Sequence, residues 1–245
     1  MKYVNHPTMS DYLTATDSIY AAHKTNPPLT MPLVHALDAL FSQEIFVGER
    51  DIGPVVHLLA SNAVELLFNA IKQALSGHTS AIFPVLKPAL ESACCAYLIS
   101  KDNSLAAIWV NRHVNKAASK ASRDAFGRAV HCAAEKLDSD LQGTGSLLKE
   151  LYQTLIDKGG HPNPEGILPY ISTPEWGDDL ILKTEALHQA NSRQINWAIL
   201  NCCAVGIRIA FIISLVLRVE PLLRDGCARL DALVNLADEY GSRMG

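Results

Sequence analysis

Residues 197–217 read WAILNCCAVGIRIAFIISLVL, and this stretch decides the fold. It predicts a helix that is apolar on all sides, and such a helix is buried either inside a protein or in a membrane. At about 1.5 Å per residue it is long enough to cross a bilayer. Asn201 and Arg208 interrupt it, and a central arginine costs about 2.5 to 3.5 kcal/mol on insertion. We therefore interpret it as the buried central helix of a bundle, with a membrane-associated helical protein as the alternative.

Helical periodicity continues on both sides of this stretch. Apolar residues recur at three- and four-residue steps, most clearly between Ile52 and Ser76. Ser104 favours the start of a helix that reaches Leu137 with a break near Ser122, and Thr184 favours the start of the central helix. The predicted helices span residues 8–23, 32–46, 52–76, 80–98, 104–137, 146–158, 184–218 and 222–240.

One segment departs from this helical pattern. Its four prolines are too many for a helix and favour extended or turn structure: Pro162, Pro164, Pro169 and Pro174. Residues 167–172 and 179–183 predict a small β-hairpin within it.

The sequence therefore predicts one all-α domain over residues 1–245, with neither an internal repeat nor a linker to divide it. We expect a single helical bundle of about seven or eight helices with a small extended or β-hairpin insertion near 161–183. The expected parts are N-terminal helices in 1–50, bundle helices in 52–158 and 184–241, and the extended insertion in 159–183.

Composition excludes several classes of protein. The 245 residues are 49% hydrophobic with a formal net charge of −4, so the chain is neither disordered nor fibrous. Six cysteines without a CxxC pair are typical of reduced core thiols, and no motif predicts a metal site or a cofactor. The first residues, MKYVNHPTMSDYL, have no apolar signal region, which leads us to expect a cytoplasmic protein.

Three polar residues of the central helix are candidates for a binding site. Gln194, Asn201 and Arg208 are spaced by seven and therefore lie on one side of the helix. A buried arginine needs a partner, and Glu65 and Glu91 interrupt apolar helix faces that would offer one. The favoured interpretation is a structural ion pair or a surface stripe. The alternative is an interhelical polar pocket in which Arg208 binds a phosphate or carboxylate.

A basic row suggests a second candidate site. Arg112, Lys116 and Lys120 follow at steps of four, next to His113. Residues 101–128 carry six basic and two acidic side chains, for a charge of +4, whereas residues 134–185 carry four and ten, for −6. This asymmetry would guide a polyanion such as RNA to one face, but a solvated helix face is the favoured interpretation because no aromatic residues are interleaved.

A third candidate is His161, in the sequence GGHPNP at residues 159–164. Glycines that end a helix and prolines that keep the chain extended would present this imidazole rigidly, as a general acid or base requires. A hydrogen bond from the ring to a nearby turn carbonyl is the favoured alternative.

Several stretches together resemble a known superfamily. They are VLKPALESACCAYLISKD at 85–102, IWVNRH at 108–113 and the GGHPNP segment. Over residues 52–217 the chain resembles uncharacterised bacterial all-α proteins grouped with the HEPN (higher eukaryotes and prokaryotes nucleotide-binding) superfamily. The resemblance implies that Lys87 and Glu91 match a basic residue one turn before a helical glutamate, and that His161 matches a histidine after the helix. It also implies a bacterial, intracellular helical dimer linked to stress response, mobile elements or phage defence.

The chain departs from the ribonucleases of that superfamily. They carry an arginine and, after a short spacer, a histidine on one helix at a dimer interface. Here the spacing from Arg123 to His131 is too long and that from Arg128 to His131 too short, and Arg112 is adjacent to His113.

We therefore expect a non-catalytic binding or regulatory module that forms a homodimer and binds a protein or a small anionic ligand. The expected ligand-binding residues are Glu65, Glu91, Arg208, Asn201 and Lys87. The alternative is a metal-independent ribonuclease. In it His161 or His113 would act as acid and base, and Arg112 or Arg208 would stabilise the charge on phosphate.

Overall fold

One long apolar helix lies at the centre of the fold. A computed structural model describes residues 8–160, 164–167, 171–172, 183–184, 187–224 and 228–244. The α-helices are α1 (Met9–Thr25), α2 (Met31–Leu40), α3 (Pro54–Leu75), α4 (Ile82–Lys101), α5 (Ser104–Val110), α6 (Lys116–Phe126), α7 (Ala129–Asp140), α8 (Thr144–Leu155), α9 (Pro164–Ile167), α10 (Arg193–Leu217), α11 (Glu220–Arg224) and α12 (Ala228–Met244). Phe41–Ile45 is a π-helical turn, and Ile156–Gly160 continues α8 with a non-helical kink at Gly159. β1 (Ile171–Ser172) and β2 (Lys183–Thr184) are two-residue strands.

The predicted all-α class is confirmed, but the described residues form more helices than the seven or eight expected. The main reason is that the predicted helix over 104–137 consists of α5, α6 and α7. Asn115 begins α6 because its side-chain oxygen accepts a hydrogen bond from the Ala118 N–H at 2.8 Å. The expected break near Ser122 is wrong, since Ser122 lies inside α6.

The segment predicted to be extended contains a helical turn. Pro164 begins α9. Proline is tolerated at this position because the first N–H of a helix makes no hydrogen bond within the helix. Ile167 therefore ends a helix instead of beginning a strand. β1 and β2 pair antiparallel, with Ile171 opposite Thr184 and Ser172 opposite Lys183. The remainder of the expected hairpin lies outside the described residues, so the insertion as a whole stays a prediction.

The central helix begins nine residues later than expected, at Arg193 instead of Thr184. Asn191 has a left-handed backbone with φ 59°, which no helix continues through. The Ser192 hydroxyl then accepts a hydrogen bond from the Ile195 N–H at 3.3 Å and caps the first turn.

The hydrophobic core is centred on α10. This helix packs against α2, α3, α4 and α12, and α3 and α4 pack along each other at its side. Its fully buried residues include Ile199, Cys202, Ile209 and Ile213. The apolar character of 197–217 therefore corresponds to burial among other helices of the chain.

Gly206 determines how closely α10 approaches its neighbours. A Cβ atom at this position would lie 2.8 Å from Leu67 Cδ2 on α3 and closer still to Leu37 Cδ2 on α2. Both leucines are fully buried. Because packed side chains in a core have little room to shift, only glycine fits here.

Three of the described helices, α3, α4 and α10, are long and apolar enough to cross a membrane. The protein itself buries 72% of the most apolar window of α4 and of α10, and 44% of that of α3. The finding is compatible both with the expected cytoplasmic location and with the membrane-associated alternative.

Replacing Gly206 with alanine should lower the free energy of unfolding by about 1 to 3 kcal/mol, because the added methyl group overpacks the contact with Leu37 and Leu67. Denaturant unfolding monitored by circular dichroism measures this change. The matched control is Gly241→Ala in α12, where a Cβ atom would meet only Leu200 Cδ2 at 3.6 Å, an ordinary contact. The control should gain about 0.5 to 1 kcal/mol from helix propensity. Equal gains in both variants would contradict the close approach of α10.

Candidate functional site

Lys87, Glu91 and Tyr152 form a polar cluster between α4 and α8, named here the Glu91 cluster. Lys87 and Glu91 are four residues apart on α4, so their side chains share one face, and Lys87 Nζ lies 3.3 Å from Glu91 Oε1. The Tyr152 hydroxyl donates a hydrogen bond to the same oxygen at 2.6 Å. Lys87 Nζ also lies 5.9 Å from the centroid of the Tyr152 ring. Glu91 is thus already neutralised and hydrogen-bonded by its own neighbours.

Local packing of α7 against α8 positions Tyr152. The Gly145 N–H in the first turn of α8 donates to Asp138 Oδ1 on α7 at 2.7 Å. A Cβ atom on Gly145 would collide with this same carboxylate and with the Ala134 carbonyl. The two helices therefore meet closely at this glycine, and both pack against α4.

Next to the cluster lies a cavity of about 490 Å³, named here the Glu91 cavity. Glu91 and Tyr152 form one side of it. The His131 ring meets the Tyr152 ring edge to face, with centroids 6.0 Å apart. The other lining residues come from α4, α5, α6 and the start of α7: Cys95, Trp109, Arg112, Ser122, Phe126, Gly127, Arg128, Ala129 and Val130.

The first turn of α7 faces this cavity. Arg128 is the N-cap residue, and no side chain of the described residues caps the turn. The first amides of a helix have no partner within the helix, and with the helix dipole they attract anions. Arg112 and Arg128 add two guanidinium groups at the solvent-exposed rim. The cavity is therefore suited to a phosphate or carboxylate group.

Tyr152 and Cys95, the phenol and the thiol beside Glu91, both have raised pKa values. Burial raises the pKa of Tyr152 well above its usual value, and the hydrogen bond to Glu91 raises it further. Burial, followed by the negative charge of Glu91, raises the pKa of Cys95 to about 12. At neutral pH the phenol and the thiol are therefore both protonated, and Cys95 is not a nucleophile.

The structure brings together three of the residues singled out from the sequence. Lys87 and Glu91 meet in the Glu91 cluster, and Arg112 lines the adjacent cavity. Arg112 does not continue the basic row of Lys116 and Lys120, because it lies in the turn after α5 and not on α6.

The expected pairing of Arg208 with Glu65 or Glu91 is absent from the described part of the chain. Arg208 is half-buried on the outward stripe of α10, and Glu65 is exposed on α3. Asn201, on the same stripe as Arg208, donates its side-chain amide to the Trp197 carbonyl at 2.7 Å. The seven-residue spacing did place Gln194, Asn201 and Arg208 on one side of α10, and Gln194 and Asn201 line a cavity other than the Glu91 cavity.

The two histidines expected to act in catalysis do not join this site. His113 is exposed in the turn after α5 and does not line the Glu91 cavity. His161 lies outside the described residues. Across the described ranges, no group of three or more histidine, cysteine or acidic residues could hold a metal ion.

Sequence reasoning missed Arg128, His131 and Tyr152 as site residues. Arg128 and His131 follow Gly127, which separates α6 from α7. This glycine is the sequence feature that indicates a helix start at this point. Tyr152 meets Glu91 across 61 positions of the chain, a contact that no local spacing predicts.

Comparison with known proteins gives no relative for this chain: no family model, no curated protein and no solved structure matches it. The HEPN relationship therefore stays an expectation based on the motifs quoted above.

Replacing Tyr152 with phenylalanine should lower the free energy of unfolding at pH 7 by about 1 to 3 kcal/mol, because the variant loses a hydrogen bond to a charged group. Denaturant unfolding at pH 7 measures this effect. Tyr240→Phe is the control, since Tyr240 is a largely buried tyrosine whose hydroxyl has no hydrogen-bond partner among the described residues. Equal losses in both variants would show that the Tyr152–Glu91 hydrogen bond does not stabilise the protein.

The same variant should change the alkaline stability of the protein. Since the pKa of Tyr152 is raised in the folded state, the phenol stays protonated there while it ionises near pH 10 in the unfolded chain. Its contribution to stability is complete below about pH 10 and is lost as the pH rises further. Stability should therefore fall less steeply above pH 10 in Tyr152→Phe than in the parent.

Proposed function

We propose that this protein is a non-catalytic binding module that holds a small anion, through its phosphate or carboxylate group, in the Glu91 cavity. The observation that supports the proposal most strongly is the convergence of Arg112, Arg128 and the uncapped first turn of α7 on one cavity. Guanidinium groups bind phosphate and carboxylate oxygens in a bidentate manner, and helix amides add further donors.

The charges around the cavity favour an added anion. Lys87 and Tyr152 already occupy a carboxylate oxygen of Glu91, so this glutamate does not neutralise the two arginines. The volume of about 490 Å³ lies within the range of small-molecule sites. Trp109 and Phe126 supply apolar wall for the body of such a ligand.

A binding role also agrees with the chemistry of the polar groups. Cys95 and Tyr152 keep their protons at neutral pH, and Glu91 is engaged by two partners. None of these three groups is available as a nucleophile or a base.

We keep three further parts of the proposal that rest on the sequence. The resemblance to HEPN proteins supports a bacterial intracellular homodimer in a stress or defence system. The cysteines, whose pattern is typical of reduced core thiols, support a cytoplasmic location. The prolines between 159 and 183 support an extended insertion.

Arg112→Gln and Arg128→Gln should each weaken the binding of inorganic phosphate about tenfold or more, since a hydrogen bond to a charged group contributes about 1.5 to 3 kcal/mol. Isothermal titration calorimetry at low ionic strength measures the affinity. The matched control is Lys120→Gln, which removes the same charge from an exposed position of α6 outside the cavity. A loss of similar size in the control would show diffuse attraction, and absence of phosphate binding to the parent would overturn the proposal.

The second candidate function is metal-independent ribonuclease activity. One observation favours it: the His131 imidazole lines the same cavity as Arg112 and Arg128. An imidazole beside guanidinium groups combines an acid or base with stabilisation of charge on a phosphodiester. This arrangement would give His131 the role that the sequence suggested for His161 or His113.

Incubation of the protein with RNA in EDTA tests this candidate. A ribonuclease of this kind should lose at least about a hundredfold of its cleavage rate in His131→Ala, because general acid–base catalysis contributes about that much or more. The matched control is His113→Ala, which should cleave at the parent rate because His113 does not line the cavity. RNA that the parent protein leaves intact would reject the candidate.

A further inference from the structure

A second cavity, of about 580 Å³, shares no lining residue with the Glu91 cavity. It lies between the start of α10, the segment that leads into α4, and the chain that follows α8. None of the residues that carry the proposed anion site contributes to it. A ligand in this cavity would therefore bind independently of the proposed anion site.

Two aromatic side chains contribute to this cavity. Phe83 at the start of α4 and Trp197 on α10 both line it, together with Ala198. Trp197 is 37% exposed although it is a large apolar side chain. Aromatic surfaces of this kind stack well on a flat apolar ring.

Among the described residues that line the cavity, the lysine, arginine and glutamate side chains sum to one positive charge. Lys158 and Arg193 are positive, and Glu165 is negative. Gly159 holds Lys158 beside the aromatic wall: its φ of 157° suits glycine alone, and a Cβ atom there would lie 3.2 Å from Phe83 Cβ. Lys158 Nζ lies 5.9 Å from the centroid of the Phe83 ring. A cation is thus fixed next to an apolar surface.

An unpartnered hydroxyl also lines the cavity. Thr79 is only 4% exposed, and its Oγ1 has no hydrogen-bond partner among the residues that the structure describes. Two hydrogen bonds to the Gly77 carbonyl hold the backbone beside this hydroxyl in place. The His188 N–H donates one at 3.0 Å, and the Thr79 N–H donates the other at 3.1 Å. A buried polar atom without a partner destabilises the empty protein, and a polar atom of a ligand would satisfy it.

We propose that this cavity binds a small planar organic monoanion of the aromatic carboxylate class. The ring would lie between Phe83 and Trp197, the carboxylate would face Lys158 and Arg193, and a polar atom of the ligand would bond to Thr79 Oγ1. Glu165 limits the net charge to one, so the cavity disfavours phosphate dianions and longer polyanions.

Isothermal titration with 1-naphthoate tests the proposal, with the neutral 1-naphthalenemethanol and inorganic phosphate as comparison ligands. The parent protein should bind 1-naphthoate at least about tenfold more tightly than the alcohol, because the alcohol lacks the charge. Phosphate should not compete with 1-naphthoate. A parent that binds no 1-naphthoate, or binds the alcohol equally well, overturns the proposal.

Two exposed cations supply variants that should fold normally. Arg193→Gln and Lys158→Gln should each weaken 1-naphthoate binding about tenfold. Lys120→Gln is the matched control, since it removes the same charge from an exposed position outside both cavities and should leave 1-naphthoate affinity unchanged. An equal loss in the control would overturn the proposal, while failure of phosphate binding at the Glu91 cavity would leave it intact.

Thr79→Val separates a binding role from a structural one. The variant removes the unpartnered hydroxyl and keeps the shape of the side chain, so the melting temperature of the unliganded protein should rise. Its affinity for 1-naphthoate should fall about fivefold to tenfold, which a purely structural threonine would not produce. Unchanged affinity would remove Thr79 from the site.

Discussion

The close approach of α10 to α2 and α3 at Gly206 is the constraint on which the remainder of the structure depends. A helix that is apolar on all sides must be covered on nearly all sides, and Leu37 and Leu67 reach the backbone of α10 only because position 206 has no side chain. With α4 and α12 on its other sides, α10 buries most of its surface. Asn201 and Arg208 lie on the narrow stripe that remains partly exposed, whereas the buried Asn196 and Ser214 hydrogen-bond to backbone carbonyls one turn earlier.

This packing determines which face of α4 is free for polar chemistry. α4 uses one face against α10 and α3, so the side chains of Lys87 and Glu91 lie toward the peripheral helices instead. There α7 and α8 supply His131 and Tyr152, and the turns at either end of α6 supply Arg112 and Arg128. The core helix thus determines the position of the Glu91 cavity without contributing a residue to it.

Periodicity predicted the two long core helices at 52–76 and 197–217 well and the region 104–137 poorly, for a physical reason. The apolar pattern at 197–217 or 52–76 repeats over many turns, so the burial of these side chains outweighs any local signal that would end the helix. The region 104–137 has weaker patterning, and a single cap such as Asn115 is sufficient to end one helix and begin another. The Glu91 cluster and its cavity show the same difference between local and long-range contacts. Lys87 and Glu91 are close because they are one turn apart, whereas Tyr152 and Arg112 reach them through tertiary packing that no spacing encodes.

The two cavities illustrate how a neighbouring carboxylate changes the selectivity of paired cations. In the Glu91 cavity, Lys87 and Tyr152 occupy the carboxylate, so two arginines and the amides of α7 remain for an anion of higher charge. In the second cavity, Glu165 lines the same space as Lys158 and Arg193 and leaves a single positive charge beside aromatic walls. The first arrangement favours oxygen-rich groups such as phosphate, and the second favours an apolar ring that carries one charge. Because the cavities share no residue, each selectivity follows from its own side chains and can be changed without altering the other.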